Sequence, residues 1–256
     1  MINKIEFKIN ELNSMKSYPK ELFYIGNLKL LKKRKIAMVG SRKPNLYAQK
    51  MTHLLASGLS KRDMTIVSGA AIGVDSIAHK AAGAKNSIAV VANGLDIRYP
   101  AINKKLIEEI EKDGLMLSSY KKGEKARVYT FIERNELVVA LSEILIVTYA
   151  DENSGTLSSI NYALKMGKKV YTIPHRLEES KGTQKLLDEG LITPIHSIEK
   201  FLNSFGEEKQ NDNAFEKYLK TFPTYEDAVS KYASKIFELE LEGKIKIERG
   251  FIKPLF

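Results

Sequence analysis

From residue 35 onward, short apolar runs alternate with longer stretches in which apolar residues fall three or four apart. The runs IAMV (36–39), MTIVS (64–68), SIAVVA (87–92), LMLSS (115–119), EILIVT (143–148) and KVYTI (169–173) read as six strands buried on both faces. Between them, Leu46 to Leu59, Ile72 to Ala82, Lys104 to Lys112, Phe131 to Leu141 and Leu157 to Met166 carry helical spacing. Strand and helix in strict turn restrict the chain to an α/β fold with a doubly wound, mainly parallel sheet. Parallel strands need crossover helices, which are almost always right-handed. The loops after the strand C-termini therefore gather on one edge, where such sheets bind their ligands.

The rest of the chain divides around this block. Residues 1–34 contain YPKELFYIG and a basic KLLKKRK, and predict an irregular lead-in, so the sheet domain is expected over 35–203. Residues 204–213 are polar and without periodicity, as a linker is. Residues 214–256 predict a helix (FEKYLKTF), a second (YEDAVSKYA), a third ended by Gly243, and then KIKIERGFIKP alternating like a β-ribbon. Helix, helix, helix, hairpin is a winged-helix-like order.

Composition narrows the chemistry. The chain has no cysteine, which excludes disulfides, thiolate catalysis and cysteine-ligated zinc or iron–sulfur clusters. Its four histidines, His53, His79, His175 and His196, include no i, i+4 pair and sit in no acidic cluster, so no metal is expected. No apolar run approaches the ~18 residues needed to span a bilayer, and MINKIEFKINEL lacks the apolar block of a secretory signal. No membrane contact and a cytoplasmic location are the expectation. The net charge of +10 favours an anionic partner such as nucleic acid. Residues 214–256 hold only +1 of it, so the excess belongs to the larger part.

The turns after the strands point the same way. The first is Gly40-Ser41-Arg42-Lys43, the second runs from Ser68-Gly69 to Asp75, the third from Asn93 to Pro100, and the fifth from Tyr149 to Ser154-Gly155-Thr156. Small and hydroxyl residues let backbone N–H groups approach an anion, and each following helix begins with its positive dipole end toward it. Taken singly, such loops are ordinary turns and caps; four on one edge, one with adjacent Arg42 and Lys43, make a phosphate-binding edge. No Gly-x-Gly-x-x-Gly follows Val39, and Leu59, Ser60 and Lys61 stand where the acidic ribose partner of a dinucleotide would fall. No cofactor is therefore expected.

Between Lys121 and Ser142, the cations Lys121, Lys122, Lys125, Arg127 and Arg134 surround Tyr129 and Phe131. Aromatics among cations suit single-stranded nucleic acid, whose bases stack on rings for ~1 to 3 kcal/mol each while the cations neutralise phosphates. Within the helix that runs on to Leu137 and Leu141, Phe131 also fits an ordinary core position.

These pieces resemble the DNA processing protein A family, also called DprA or Smf: VGSRKP, IVSGAAIGVDSIAHKAA, VANGLDIRYP, FIERNELVVALS, IVTYADENSGTLSSINYALKMGKKVYTIP, and SKIFELELEGKI near the C-terminus. The resemblance implies an extended Rossmann-like domain that binds single-stranded DNA, protects incoming DNA in natural transformation and loads the RecA recombinase. It also implies a homodimer that is not an enzyme. Gly40, Ser41 and Arg42 match the family's Gly-Ser-Arg anion pocket; Ser68, Gly69, Gly73 and Asp75 match its second loop. Arg134 and Asn135 match the start of its Arg-Asn-Arg, and Ser154, Gly155 and Leu157 its Ser-Gly-x-Leu turn. The chain departs from the pattern at Ile72, Glu136 and Tyr149.

The expected DNA-binding residues are thus Gly40, Ser41, Arg42, Lys43, Ser68, Gly69, Asn93, Arg127, Phe131, Arg134, Asn135, Ser154, Gly155 and Thr156. Gly40 is expected to admit a phosphate, Ser41 to offer a hydroxyl and a backbone donor, and Arg42 to grip phosphate oxygens with its planar fork. The rival reading is a nucleotide-cleaving phosphoribohydrolase-like enzyme, whose Gly-Gly-x-Gly-Thr-x-x-Glu turn Ser154-Gly155-Thr156 partly matches. Ser159 stands where that enzyme needs its glutamate.

Overall fold

Each of the six apolar runs forms a strand. The computed structural model describes residues 1–208, 214–241 and 243–255, which fall in two compact units, Met1–Lys209 and Gln210–Phe256. The first unit contains β1 (Asn3–Lys4), β2 (Phe23–Gly26), β3 (Lys35–Val39), α1 (Leu46–Ser60), β4 (Thr65–Ser68), α2 (Val74–Ala82), β5 (Ser87–Val90) and α3 (Lys104–Asp113). It continues through β6 (Leu115–Ser118), α4 (Val128–Ala140), β7 (Ile144–Val147), α5 (Thr156–Lys165), β8 (Val170–Thr172), α6 (Lys181–Asp188), β9 (Thr193–Pro194) and α7 (Ile198–Asn203).

The sheet order is β1-β2-β6-β5-β4-β3-β7-β8-β9. From β6 to β9 every neighbouring pair is parallel. Successive side chains of a strand point to opposite faces, and β3 shows what that does: Ile36 and Met38 pack with α1 and α2, whereas Ala37 and Val39 pack with residues of α4 and α5. Both faces are covered, which is why these strands are apolar without alternation. The chain winds one way from β3 through β4, β5 and β6, and the other way through β7, β8 and β9. The switch point therefore lies between the C-terminal ends of β3 and β7.

The lead-in expected over 1–34 is instead part of the sheet. Phe23–Gly26 pairs antiparallel with Leu115–Ser118, placing Tyr24 opposite Leu117, and Asn3–Lys4 pairs with β2 in turn. An edge strand is decided by the partner that receives it, here β6, so its own four residues carry little signal. Helix α4 starts three residues before Phe131, because Thr130 Oγ1 accepts the Arg127 N–H at 2.8 Å and closes the first turn.

The second unit contains α8 (Ala214–Leu219), α9 (Tyr225–Leu241) and an antiparallel hairpin of β10 (Ile245–Glu248) and β11 (Phe251–Pro254). Non-helical Tyr232 divides α9. Phe215, Leu219, Ala228, Ile236, Ile245 and Ile252 form its own core. Of the expected linker, residues 209–213 lie outside the described residues.

Candidate nucleic-acid interface

A cleft of about 910 Å³ opens at the switch point. Its lining includes Gly40, Ser41 and Arg42 after β3, Phe131, Arg134 and Asn135 on α4, and Ser154, Gly155 and Thr156 at the start of α5. Nine of the fourteen residues singled out in the sequence therefore meet on one surface. A pocket of about 30 Å³ beside it shares Arg42 and Phe131 and adds Gly69, Asn93 and Tyr99. Ser68, Lys43 and Arg127 line neither.

Within this group the roles separate. Arg42 is exposed and stands over the Phe131 ring, 5.3 Å from its centroid. It has no ion-pair partner among the described residues, so its guanidinium is free for an incoming anion. Arg134 is turned inward: 6% exposed, it places Nη1 3.8 Å from Asp75 Oδ2 and donates to the Val90 carbonyl at 3.2 Å. Burial pushes the Asp75 carboxyl up, against the pull of Arg134 and of the backbone N–H groups of Ala71 and Gly69. Burial also lowers Arg134, which Asp75 opposes. Arg134 thus supports Phe131 from below, 6.0 Å from its centroid, and its charge is met by Asp75.

Several expected contacts are spent inside the protein. A Cβ on Gly40 would lie 2.6 Å from Val74 Cγ2 and 3.0 Å from the Tyr149 carbonyl, so this glycine is required by packing against α2 and the β7 loop. The Ser41 N–H donates to the Tyr149 carbonyl at 2.8 Å, which removes the backbone donor expected there; its Oγ accepts from the Lys43 N–H at 3.0 Å. Ser68 is fully buried and donates to the Met38 carbonyl at 2.7 Å, tying β4 to β3. Asn93 is 2% exposed, and its amide donates to the carbonyls of Gly94 and Ile97. Gly69 gives up its side chain to Arg134, since a Cβ there would fall 1.1 Å from Nη1. Asn135 donates to Ser158 Oγ at 3.0 Å and braces α4 on α5. At Gly155 an added Cβ would meet nothing within 4 Å, and Ser154 Oγ accepts the Thr156 N–H at 3.2 Å. Lys43 and Arg127 are exposed beside the cleft.

Sequence reasoning passed over four contributors. Tyr99 is 47% exposed with its ring 6.1 Å from that of Phe131; it sits in the β5 loop already singled out, where an aromatic beside Arg98 was the available signal. Asp151 and Glu152 bring carboxylates to the lining, and Lys181, paired with Glu178, arrives from α6, where no helix was expected. Of the three departures, Glu136 is absent from the cleft lining; its Oε1 accepts the Lys16 N–H at 2.7 Å and anchors the N-terminal segment. Tyr149 packs edge-on against His175, ring centroids 5.3 Å apart, and Ile72 lines the small pocket.

The winding and the cleft define a Rossmann-like protein with a cleft at the switch point of a parallel sheet. The family model for DNA recombination-mediator protein A matches residues 6–206, and the chain belongs to that family. It is 39% identical over 185 residues to DNA processing protein DprA of Streptococcus pneumoniae, a match covering 70% of this chain and 65% of that protein. It is 34% identical over 192 residues to protein Smf of Escherichia coli, covering 73% of this chain and 51% of that one. The chain thus spans about half to two thirds of these relatives. A solved structure of DNA processing protein A from Helicobacter pylori, described for its single-stranded DNA binding mode, superposes with a TM-score of 0.78. It is 38% identical and covers 80% of this chain and 95% of that one. Among the described residues no helix is long and apolar enough to cross a membrane.

Proposed function

We propose that this chain binds single-stranded DNA in the cleft, protects incoming DNA in natural transformation and loads the RecA recombinase onto it, acting as a cytoplasmic homodimer. The observation that carries the reading is Arg42 stacked on Phe131 at the mouth of a hydroxyl-lined cleft: one unpaired cation for a phosphate beside an aromatic face for a base. In a duplex the base faces are stacked away from such a ring. The Helicobacter pylori relative, described as binding single-stranded DNA, supports the same ligand, and the family supports the recombination role. Lys43 and Arg127, exposed beside the lining, add to the positive surface along the strand's path.

The experiment is a comparison of single-stranded and double-stranded oligonucleotides at two salt concentrations. Tighter binding of the single strand, weakening as salt rises, is expected; preference for the duplex would overturn the reading. Nucleotide cleavage is the weaker alternative. Ser159, 1% exposed, occupies the glutamate position, and Asp75 in the lining is tied to Arg134. Release of free base from nucleoside monophosphates would favour it.

A further inference from the structure

A second groove adjoins the cleft on the same sheet edge. It encloses about 800 Å³, and its lining includes Asn45, Tyr47, Pro174, His175, Arg176 and Glu179. Two chain segments run from one depression to the other. The β3–α1 segment passes from Gly40, Ser41 and Arg42 in the cleft to Pro44 and Asn45 in the groove, and the β8–α6 segment passes from Arg176 and Glu179 in the groove to Lys181 in the cleft. Exposed Lys43 lies in the chain between the two linings.

Three features of the groove have no use in the reading above. Tyr47 is 44% exposed yet held in place: its ring meets His175 edge-on at 5.7 Å, and His175 meets Tyr149 edge-on at 5.3 Å and bonds through Nε2 to the Thr148 carbonyl at 2.9 Å. An aromatic ordered before its ligand arrives binds at a lower entropy cost. The His175 side chain is fully buried while its Nδ1 has no hydrogen-bond partner; the Glu179 carboxylate stands 3.7 Å away. A buried polar atom left without a hydrogen-bond partner is uncommon, and this one belongs to a residue of the groove wall. Finally, Arg176 is exposed and without an ion-pair partner among the described residues, beside the start of α1, where Asn45 Oδ1 accepts the Ala48 N–H at 2.8 Å and the dipole favours an anion.

We propose that the groove is a second nucleotide subsite: a single strand seated in the cleft crosses the Ser41–Pro44 loop, stacks a base on Tyr47 and sets its phosphate against Arg176 and the first turn of α1. Glu179 is the carboxylate among the described residues of this lining, and its Oε2 stands 3.7 Å from His175 Nδ1. The proposal rests on the cleft being a single-stranded DNA site. It adds the direction in which the strand leaves and the residues that extend the footprint.

The test measures affinity of the full chain for labelled oligothymidylates of about 5 and about 20 nucleotides, one near the short end of the usual footprint of a single-strand site and one beyond its long end. Tyr47→Ala reduces the long-to-short affinity ratio by about fivefold or more, the scale of one lost base stack, and Tyr47→Phe restores it; Arg176→Ala also reduces the ratio and removes ~0.7, one phosphate contact, from the salt slope of the long oligonucleotide. An unchanged ratio in folded Arg176→Ala and Tyr47→Ala proteins, with Arg42→Ala still weakening both lengths, overturns the groove alone. Failure of the wild-type chain to bind either length overturns the cleft and the groove together.

Discussion

Asp75 and Arg134 face each other beneath the floor of the cleft, Oδ2 3.8 Å from Nη1, with side chains 8% and 6% exposed. Asp75 comes from α2 and Arg134 from α4, so the pair ties together the two layers that flank β3 and β4, and Gly69 vacates the space that the guanidinium fills. Phe131 lies over this pair, and Arg42 over Phe131. The cleft floor is therefore a stack of cation, ring, cation and carboxylate, in which only the outermost charge is free.

Removing one member of a buried pair strands the other charge, at a cost of about 3–5 kcal/mol. Asp75→Asn and Arg134→Met are expected to lower stability on this scale in denaturant unfolding. Gly69→Ala behaves likewise, because its new Cβ would displace Nη1 from 1.1 Å away.

Arg42→Ala leaves stability close to wild type, since the side chain is exposed, but weakens single-strand binding. It also flattens the salt dependence, because one lost phosphate contact removes ~0.7 from the slope of log affinity against log salt. Titrations at several salt concentrations check both; an unchanged slope takes Arg42 out of the site.

The two glycines of the cleft separate packing from binding. Gly40→Ala forces a Cβ against Val74 and the Tyr149 carbonyl, so its melting point falls, by overpacking that costs about 1–3 kcal/mol. Gly155→Ala points into open space, so its stability stays near wild type while DNA affinity drops wherever a sugar-phosphate backbone passes close. Melting curves and binding isotherms on the same two variants decide it.

His79 is fully buried on α2, and burial pushes its imidazole down from 6.5 to about 4. The unfolded chain takes up a proton near 6.5 that the folded chain accepts only near 4, so this contribution is complete above about 6.5 and is lost as pH falls toward 4. The difference amounts to about 3 kcal/mol. Unfolding free energies measured across that window are expected to decline more steeply for the wild type than for His79→Gln.

What the sequence determined by itself was the winding order and the edge. Apolar runs and helical spacing are local properties, and six strands in alternation with helices bring Gly40, Phe131 and Ser154 to one rim whatever their side chains then do. The tertiary structure alone decided which of the charges and hydroxyls on that rim face outward. Arg42 and Arg134 look equivalent along the chain, yet α4 turns Arg134 into the core beside Leu137 and Val138, where Asp75, 59 residues away in sequence, receives it. Ser68 turns inward for the same reason, claimed by the Met38 carbonyl of β3, 30 residues away, whereas Asn93 is claimed by the Gly94 and Ile97 carbonyls of its own loop. Strands β1 and β2 also depend on a distant partner, the free edge of β6. Spacing records how a segment is wound, but the exposure of a polar group is set by what packs against it, and that neighbour is supplied by remote parts of the chain.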